Sequence, residues 1–160
     1  MVSLCPFPIF HPNIWFSQGG AMEFKATTTI NAPADTIWRI ITDGPNYPEW
    51  DPGVIKIEGT IAAGEKIKAW SKLSPDRAFP VTVSEFTPNQ KMVWSSGMPL
   101  GLFKGVRTFA LTPQGDEIVF TVHEVFSGLL LPLIGRSIPD MTQTFQEFVD
   151  GLKTHAEKKA

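Results

Sequence analysis

The sequence predicts an α+β domain in which a curved antiparallel sheet of about six or seven strands wraps around one long C-terminal helix. Two observations predict this fold. Short alternating or apolar segments, separated by turn residues, fill the middle of the chain. The last segment instead repeats its apolar residues every three or four positions, as one face of a helix does: Met141, Phe145, Phe148, Leu152 and Ala156. A single helix placed last can bury this face only against a sheet formed by the preceding residues.

Length and composition are those of one globular domain. The chain has 160 residues, of which 42 % are hydrophobic and 19 % are charged. Its net charge of −2 provides no basic surface, so we expect no nucleic-acid partner. No apolar run reaches the roughly 20 residues that span a bilayer, so we expect no transmembrane segment. The single cysteine, Cys5, excludes an intrachain disulfide and favours a cytoplasmic location.

The first 21 residues differ in character from the rest. They are rich in proline and large apolar residues and contain no Lys or Arg, which argues against a secretory signal. One interpretation is an extension that precedes a natural start at Met22. The other is an apolar arm that docks on this domain or on a neighbour, so that a homodimer could form through it. The domain proper is expected to cover residues 22–158.

The first elements follow from the order of strand, cap and breaker residues. Glu23–Ile30 alternates and is rich in threonine, as a strand is. A short helix then begins near Pro33, which suits a first helical turn, and ends before Gly44. The proline-rich segment Tyr47–Pro52 is expected to be a loop, with one short helical turn as an alternative.

Six further strands are bounded by turn residues such as Gly, Pro, Asn and Asp. They cover Val54–Glu58, Lys66–Leu73, Phe79–Phe86, Lys91–Ser96, Phe103–Thr112 and Glu117–Phe126. Turns are expected at Ser74–Asp76 and Pro113–Asp116, among others. Successive hairpins predict an antiparallel sheet with the helices on one side of it.

Four segments also carry a resemblance to a known group of proteins. They are Thr29–Trp38, Tyr47–Val54, the hairpin Phe109–Phe120 and the tail Gly151–Glu157. In this order and spacing they resemble the SRPBCC superfamily, which includes START-type and birch-pollen-allergen-like proteins, and in particular its polyketide cyclase/dehydrase-like subgroup. The resemblance implies a helix-grip fold with a cavity for an apolar or amphipathic ligand. It implies no reaction, because the superfamily includes carriers, receptors, enzymes and chaperone cofactors.

Strand alternation assigns side chains to the two faces of the sheet. If Thr112 pairs with Glu117, the inner, apolar face also carries Arg107 and Glu124, which lie diagonally to each other. Buried opposite charges are expected to pair and to give a ligand a polar group on which to orient. The alternative is a solvated ion pair at the rim of the sheet.

The same reasoning predicts a set of ligand-binding residues on the inner face and on the facing side of the last helix. The set is Arg107, Glu124, Trp94, Met92, Phe109, Phe120, Val122, Val83, Met141 and Phe145. Trp94 is expected to stack on the guanidinium of Arg107.

Four further residues are expected at the mouth of the cavity or in a lid over it. Tyr47 and Trp50 either guard the mouth or fix their loop to the core. Met98 and Phe103 belong to an apolar loop that forms either a lid or ordinary core contacts.

No pattern predicts a metal or a cofactor. The three histidines and one cysteine are scattered along the chain, and acidic residues form no cluster. The Gly97–Gly101 segment lacks the lysine and the following helix of a phosphate-binding loop. We therefore expect neither a metal site nor a bound cofactor.

Three functions fit these features. The first is binding of a small hydrophobic or amphipathic molecule between the sheet and the last helix. The second is a cyclase or dehydratase reaction on a polyketide-like substrate, for which Glu124 is a weak candidate as general acid or base. The third is a protein-interaction module, resembling chaperone-ATPase activators of the same superfamily. In that case the first 21 residues or the outer sheet face around Trp70, Val93 and Phe86 would contact a partner or a second copy.

Overall fold

The computed structural model describes residues 16–17 and 20–160. The predicted arm at residues 1–21 lies largely outside this range. One antiparallel sheet contains all the strands, which are β1 Phe16–Ser17, β2 Ala21–Ile30, β3 Val54–Glu58, β4 Lys66–Ser71, β5 Ser74–Thr87, β6 Lys91–Gly97, β7 Lys104–Gln114 and β8 Glu117–Ser127. The α-helices are α1 Ala34–Thr42, the single turn α2 Leu131–Ile134 and α3 Thr142–Lys159. Short 3-10 turns cover Gly44–Glu49, Pro99–Gly101 and Gly135–Ser137.

The strands lie in the order β1-β2-β8-β7-β6-β5-β4-β3. The first long strand therefore pairs with the last one, and the intervening strands form a meander of hairpins. Helix α3 crosses the inner face against β2 and β8, and α1 packs beside it. This is the helix-grip arrangement, in which a curled sheet encloses the C-terminal helix, and it confirms the predicted fold class.

The hairpin between β7 and β8 has a different register from the predicted one. Thr112 pairs with Val119, and the turn contains just Gly115 and Asp116, with Gly115 at a φ of 61°. A two-residue turn with positive φ matches the twist of the strands better than a four-residue turn. The register therefore shifts by two residues, so each side chain stays on its predicted face. Arg107 now lies directly opposite Glu124.

A bulge in β5 reverses the predicted alternation of the side chains that follow it. Val83 pairs with Trp94, but Glu85 pairs with Val93, which leaves Ser84 as the extra residue. Phe86 consequently points inward, where its ring centroid lies 5.1 Å from that of Trp38.

The predicted outer surface of Trp70, Val93 and Phe86 is therefore wrong. Phe86 lies on the inner face, and Val93 is buried. Trp70 is covered in part by Lys56, whose Nζ lies 4.1 Å from the ring centroid. The three side chains do not form one exposed patch.

The β4–β5 hairpin turns earlier than the sequence predicted. Ser71 pairs with Ser74, so the turn lies at Lys72 and Leu73 rather than at residues 74–76. The next pair is Trp70 with Ala78, which leaves Pro75–Arg77 outside the pairing. A proline, which has no N–H to donate, is tolerated in such an irregular part of a strand.

The C-terminal half of α3 is fixed to the rest of the fold by three contacts. Lys153 Nζ donates to the Thr29 carbonyl oxygen at 2.6 Å, and Glu157 Oε1 accepts from the Asn31 N–H at 2.9 Å. Gly151 lies so close to the Trp50 carbonyl oxygen that an added Cβ would overlap it. These contacts set the position of the helix over the inner face. None of the helices within residues 20–160 is both long and apolar enough to cross a membrane.

Replacement of Gly151 with Ala is expected to destabilise the protein. In an ordinary helix this change is stabilising by about 1 kcal/mol. Here the new methyl group must displace the Trp50 backbone, so we expect a loss of about 1–3 kcal/mol in the free energy of unfolding. Urea unfolding of G151A measures it, with T154A on an exposed position of the same helix as the control. A G151A protein as stable as T154A would contradict the close contact.

Candidate functional site

An ion pair lies on the inner face of the sheet, near the start of β7 and the end of β8. Arg107 Nε and Nη2 both donate to Glu124 Oε2, at 3.0 and 2.5 Å. The exposed fraction is 28 % for the Arg107 side chain and 12 % for that of Glu124. The pair is thus mostly withdrawn from water but is still reachable, and neither charge is left alone in the apolar interior.

Helix α3 covers the guanidinium with an aromatic ring. The Cζ atom of Arg107 lies 4.9 Å from the ring centroid of Phe145. Trp94 is the cross-strand neighbour of Arg107, but its ring contacts Phe109 at 4.9 Å and Tyr47 at 6.0 Å between centroids. The predicted stacking of Trp94 on Arg107 is therefore wrong, because the helix supplies the ring in its place.

Arg107 keeps its charge and has donors to spare. Burial lowers the pKa of Arg107, but the charge and hydrogen bonds of Glu124 outweigh burial, so that this pKa is raised above its usual value. Two of its five N–H groups donate to Glu124 among the described residues. The remaining N–H groups can bind a carboxylate, a phenolate or a carbonyl oxygen.

Below the ion pair, aromatic side chains fill the space between the sheet and α3. Tyr47 and Trp50 have ring centroids 4.6 Å apart, and Trp50 and Phe148 are 5.0 Å apart. Phe148 also contacts Phe109 at 6.0 Å and Phe120 at 6.2 Å. This cluster joins the loop after α1 to the helix and to the sheet.

Five of the predicted ligand-binding residues belong to this closed core. Each is at most 1 % exposed, and they are Val83, Met92, Phe109, Phe120 and Val122. A side chain that lined an open cavity would be accessible to a water-sized sphere. Their contact with a ligand stays a prediction, and it requires the core to open. Phe145 is also buried, and Met141 is half-buried at the start of α3.

The four predicted mouth or lid residues lie in two different environments. Tyr47 and Trp50 are buried, and the Tyr47 hydroxyl donates to the Ile41 carbonyl oxygen at 2.7 Å. Their burial and this hydrogen bond support the second of the two interpretations, in which they fix their loop to the core. Phe103 is half-buried and stacks on Phe126 at 5.8 Å, while Met98 is exposed.

Sequence reasoning missed Asp51, which is buried near the same cluster. Its Oδ1 accepts from the Gly53 N–H at 2.8 Å. Burial raises the pKa of Asp51, although the Gly53 hydrogen bond and the charge of Arg107 counteract this. The Asp-Pro-Gly sequence was an available signal, because an Asp side chain often bonds the N–H two residues further on.

Two buried indole N–H groups were missed as well. Nε1 of Trp50 and Nε1 of Trp94 have no hydrogen-bond partner among the described residues. A buried donor without a partner costs about 1–3 kcal/mol. Both tryptophans contact Tyr47, so the two donors belong to one aromatic cluster.

Two surface clefts lie away from the ion pair. One encloses about 300 Å³ between α1, the 44–49 turn and α3, and the other about 610 Å³ beside α3. Trp50 and His155 contribute to both clefts, whereas Arg107 and Glu124 contribute to neither. Within residues 20–160, no three His, Cys, Asp or Glu side chains are grouped in a way that could hold a metal ion.

A curled antiparallel sheet closed over a long C-terminal helix is the START-like helix-grip fold. Residues 21–157 match the family model described as polyketide cyclase / dehydrase and lipid transport, and the chain belongs to this family. The description supports a role in binding a hydrophobic ligand or in cyclisation.

Solved structures support the same fold. A START superfamily protein from Mycobacterium smegmatis has a TM-score of 0.63 at 17 % identity, over 86 % of this chain and 99 % of that one. A hypothetical protein from Helicobacter pylori has a TM-score of 0.71 at 12 % identity, over 97 % and 99 %. The di-domain ARO/CYC StfQ from the steffimycin biosynthetic pathway has a TM-score of 0.64 at 14 % identity, over 87 % of this chain and 51 % of that one. A search of curated protein sequences returned no match.

Asp51→Asn is expected to change how stability depends on pH. Because the folded-state pKa of Asp51 is raised, its contribution to stability is largest below the unfolded pKa of about 3.9 and falls as pH rises through the folded value. Asn cannot ionise, so D51N does not lose this stability as pH rises. Its side-chain oxygen can still accept a hydrogen bond from the Gly53 N–H. The stability of D51N relative to the native protein should therefore increase from acid to neutral pH in thermal unfolding.

Two variants control for this prediction. D51A also loses the hydrogen bond to Gly53, and we expect it to be less stable than D51N by about 1 kcal/mol. D76N replaces an exposed carboxyl and controls for the removal of one negative charge from the protein. A D51N protein whose stability follows pH as the native protein does would refute the assignment.

Proposed function

We propose that the protein binds a small amphipathic molecule between the inner face of the sheet and helix α3. The ion pair of Arg107 and Glu124 anchors the polar end of the ligand. The observation that carries this proposal is the partly exposed guanidinium, which lies beside the Phe145 ring and has N–H groups without a partner among the described residues. The family description, with its reference to lipid transport, supports a ligand of this kind.

The ligand reaches the ion pair from the N-terminal half of α3. The C-terminal half is fixed by Lys153, Glu157 and Gly151. The N-terminal half carries Phe145 beside the guanidinium, and a series of short turns precedes it. Movement of this half would expose the charged pair and leave the anchored half in place.

The apolar part of the ligand occupies space that aromatic rings fill at present. The rings of Trp50 and Trp94 carry unpartnered N–H groups, so a ligand with oxygen acceptors would remove an unfavourable feature of the closed core. Apolar burial at about 25 cal/mol per Å² supplies the remaining affinity. The ligand class is therefore an apolar molecule with an anionic or carbonyl end and further oxygen atoms.

A cyclase or dehydratase reaction is the second candidate, favoured by the family description and by the similarity to a domain of StfQ. The carboxylate of Glu124 would accept a proton next to a ligand carbonyl. Arg107 would stabilise the negative charge that develops on the carbonyl oxygen. The two hydrogen bonds from Arg107 use the same carboxylate oxygen, so Oε1 lies outside the pair.

Binding of anilinonaphthalene sulfonate, which joins an aromatic body to an anionic group, tests the proposal. The double variant R107M/E124L removes both charges together, so that neither is left buried alone. We expect its affinity for the dye to fall at least about tenfold. The exposed Arg39 provides the matched control R39M, whose affinity should be unchanged. Near-UV circular dichroism must show native tertiary structure, because the dye also binds partly folded states.

Two results would overturn the proposal. One is a native protein that does not bind the dye, and the other is equal affinity in R107M/E124L and in the native protein. The isosteric variant E124Q separates binding from catalysis. If it keeps the dye affinity but loses turnover of poly-β-ketone surrogates that the native protein converts, the enzymatic role is supported.

A further inference from the structure

Four large apolar side chains are exposed in two neighbouring segments at one end of the sheet. Leu100 is 95 % exposed, Leu129 82 %, Leu133 75 % and Met98 47 %. We call these four residues the apolar tip. Single exposed apolar residues are common, but a group of them marks an interaction surface.

The apolar tip is held in place by contacts within its first segment and between its two segments. The Leu130 N–H donates to the Leu102 carbonyl oxygen at 2.8 Å, and the Met98 N–H donates to that of Phe103, also at 2.8 Å. Gly128 approaches the Leu102 carbonyl so closely that a Cβ there would lie 2.6 Å from its oxygen. The exposed leucines therefore project from a defined surface.

Contacts within the described chain do not explain why residue 100 is a leucine. Its φ of 60° and ψ of 21° lie in the left-handed region, which disfavours any residue with a Cβ. Glycine or asparagine would fit this backbone better, and the almost fully exposed leucine side chain offers little packing in return. A leucine at this position is best explained by a partner that covers it.

The two charged residues in the segments that carry the apolar tip are both basic, and Asp140 follows directly after the second segment. Residues 97–106 and 127–139 contain Lys104 and Arg136 and no Asp or Glu, in a chain with a net charge of −2. Both basic side chains are exposed. A second copy of this chain that covered the tip symmetrically would bring these like charges together. An anionic surface complements them.

We propose that the apolar tip docks on a membrane that contains anionic lipids. The leucines would enter the boundary between headgroups and acyl chains, and Lys104 and Arg136 would meet the lipid phosphates. The ion pair of Arg107 and Glu124 is three residues from the strand ends next to the tip, which is a distance of about 10 Å along the strands. The inference does not depend on a ligand in the interior.

Co-sedimentation of the full chain with lipid vesicles tests the inference. We expect binding to vesicles of phosphatidylcholine mixed with phosphatidylglycerol and weaker binding to pure phosphatidylcholine. The variant L100S/L129S/L133S should partition at least about tenfold less. The matched control is I55S/L73S, because these two apolar residues are also exposed but lie outside the tip.

The charge contribution has its own matched pair of variants. K104Q/R136Q should reduce binding to the anionic vesicles and remove most of its sensitivity to salt. K66Q/K68Q changes two exposed lysines on β4 and should bind as the native protein does. All these positions are exposed, so circular dichroism should show native folds.

Three outcomes would overturn the inference. The native chain could fail to bind anionic vesicles. The L100S/L129S/L133S variant could bind as well as the native chain, which would assign binding to residues 1–15 or to another surface. Gel filtration could show a native dimer that this variant converts to a monomer, which would assign the apolar tip to contact between two copies.

Discussion

The structure depends on the close contact between helix α3 and the loop that follows the 44–49 turn. Gly151 allows the helix backbone to lie against the Trp50 carbonyl oxygen, where no larger residue fits. This contact fixes the height of α3 above the sheet, and Phe148 then fills the space between Trp50, Phe109 and Phe120. The interior is therefore closed around Phe148 and Gly151 in the middle of the helix, while the first turn, with Phe145, lies over the charged pair.

The sequence predicted the fold and the faces of β7 and β8 because both depend on periodicity. A register error of two residues left every side chain of these strands on its correct face, so Arg107 and Glu124 were still brought together. Phe86 was misplaced because Ser84 forms a bulge, and a single extra residue reverses the alternation after it. No composition rule marks this serine as a bulge residue.

Whether an open cavity remains between the sheet and helix α3 could not be predicted in the same way. Alternation shows which side chains point inward, but the sizes and angles of the aromatic rings decide whether space remains between them. Val83, Met92 and Phe109 point inward as expected and are nevertheless part of a closed core. The burial of Asp51 and of the indole N–H groups of Trp50 and Trp94 depends on tertiary contacts that join the loop to the sheet and the helix.

The ion pair and the apolar tip lie at the same end of the sheet, and this placement links the two proposals. An apolar ligand that leaves a bilayer for the protein would otherwise expose its surface to water on the way. A tip that enters the headgroup region would shorten this path to about the rise of three residues along β7, from Lys104 to Arg107. The guanidinium would then meet the polar end of the ligand first, before the aromatic core opens to accept the rest. The closed core below and the reachable charge above are consistent with this order of events.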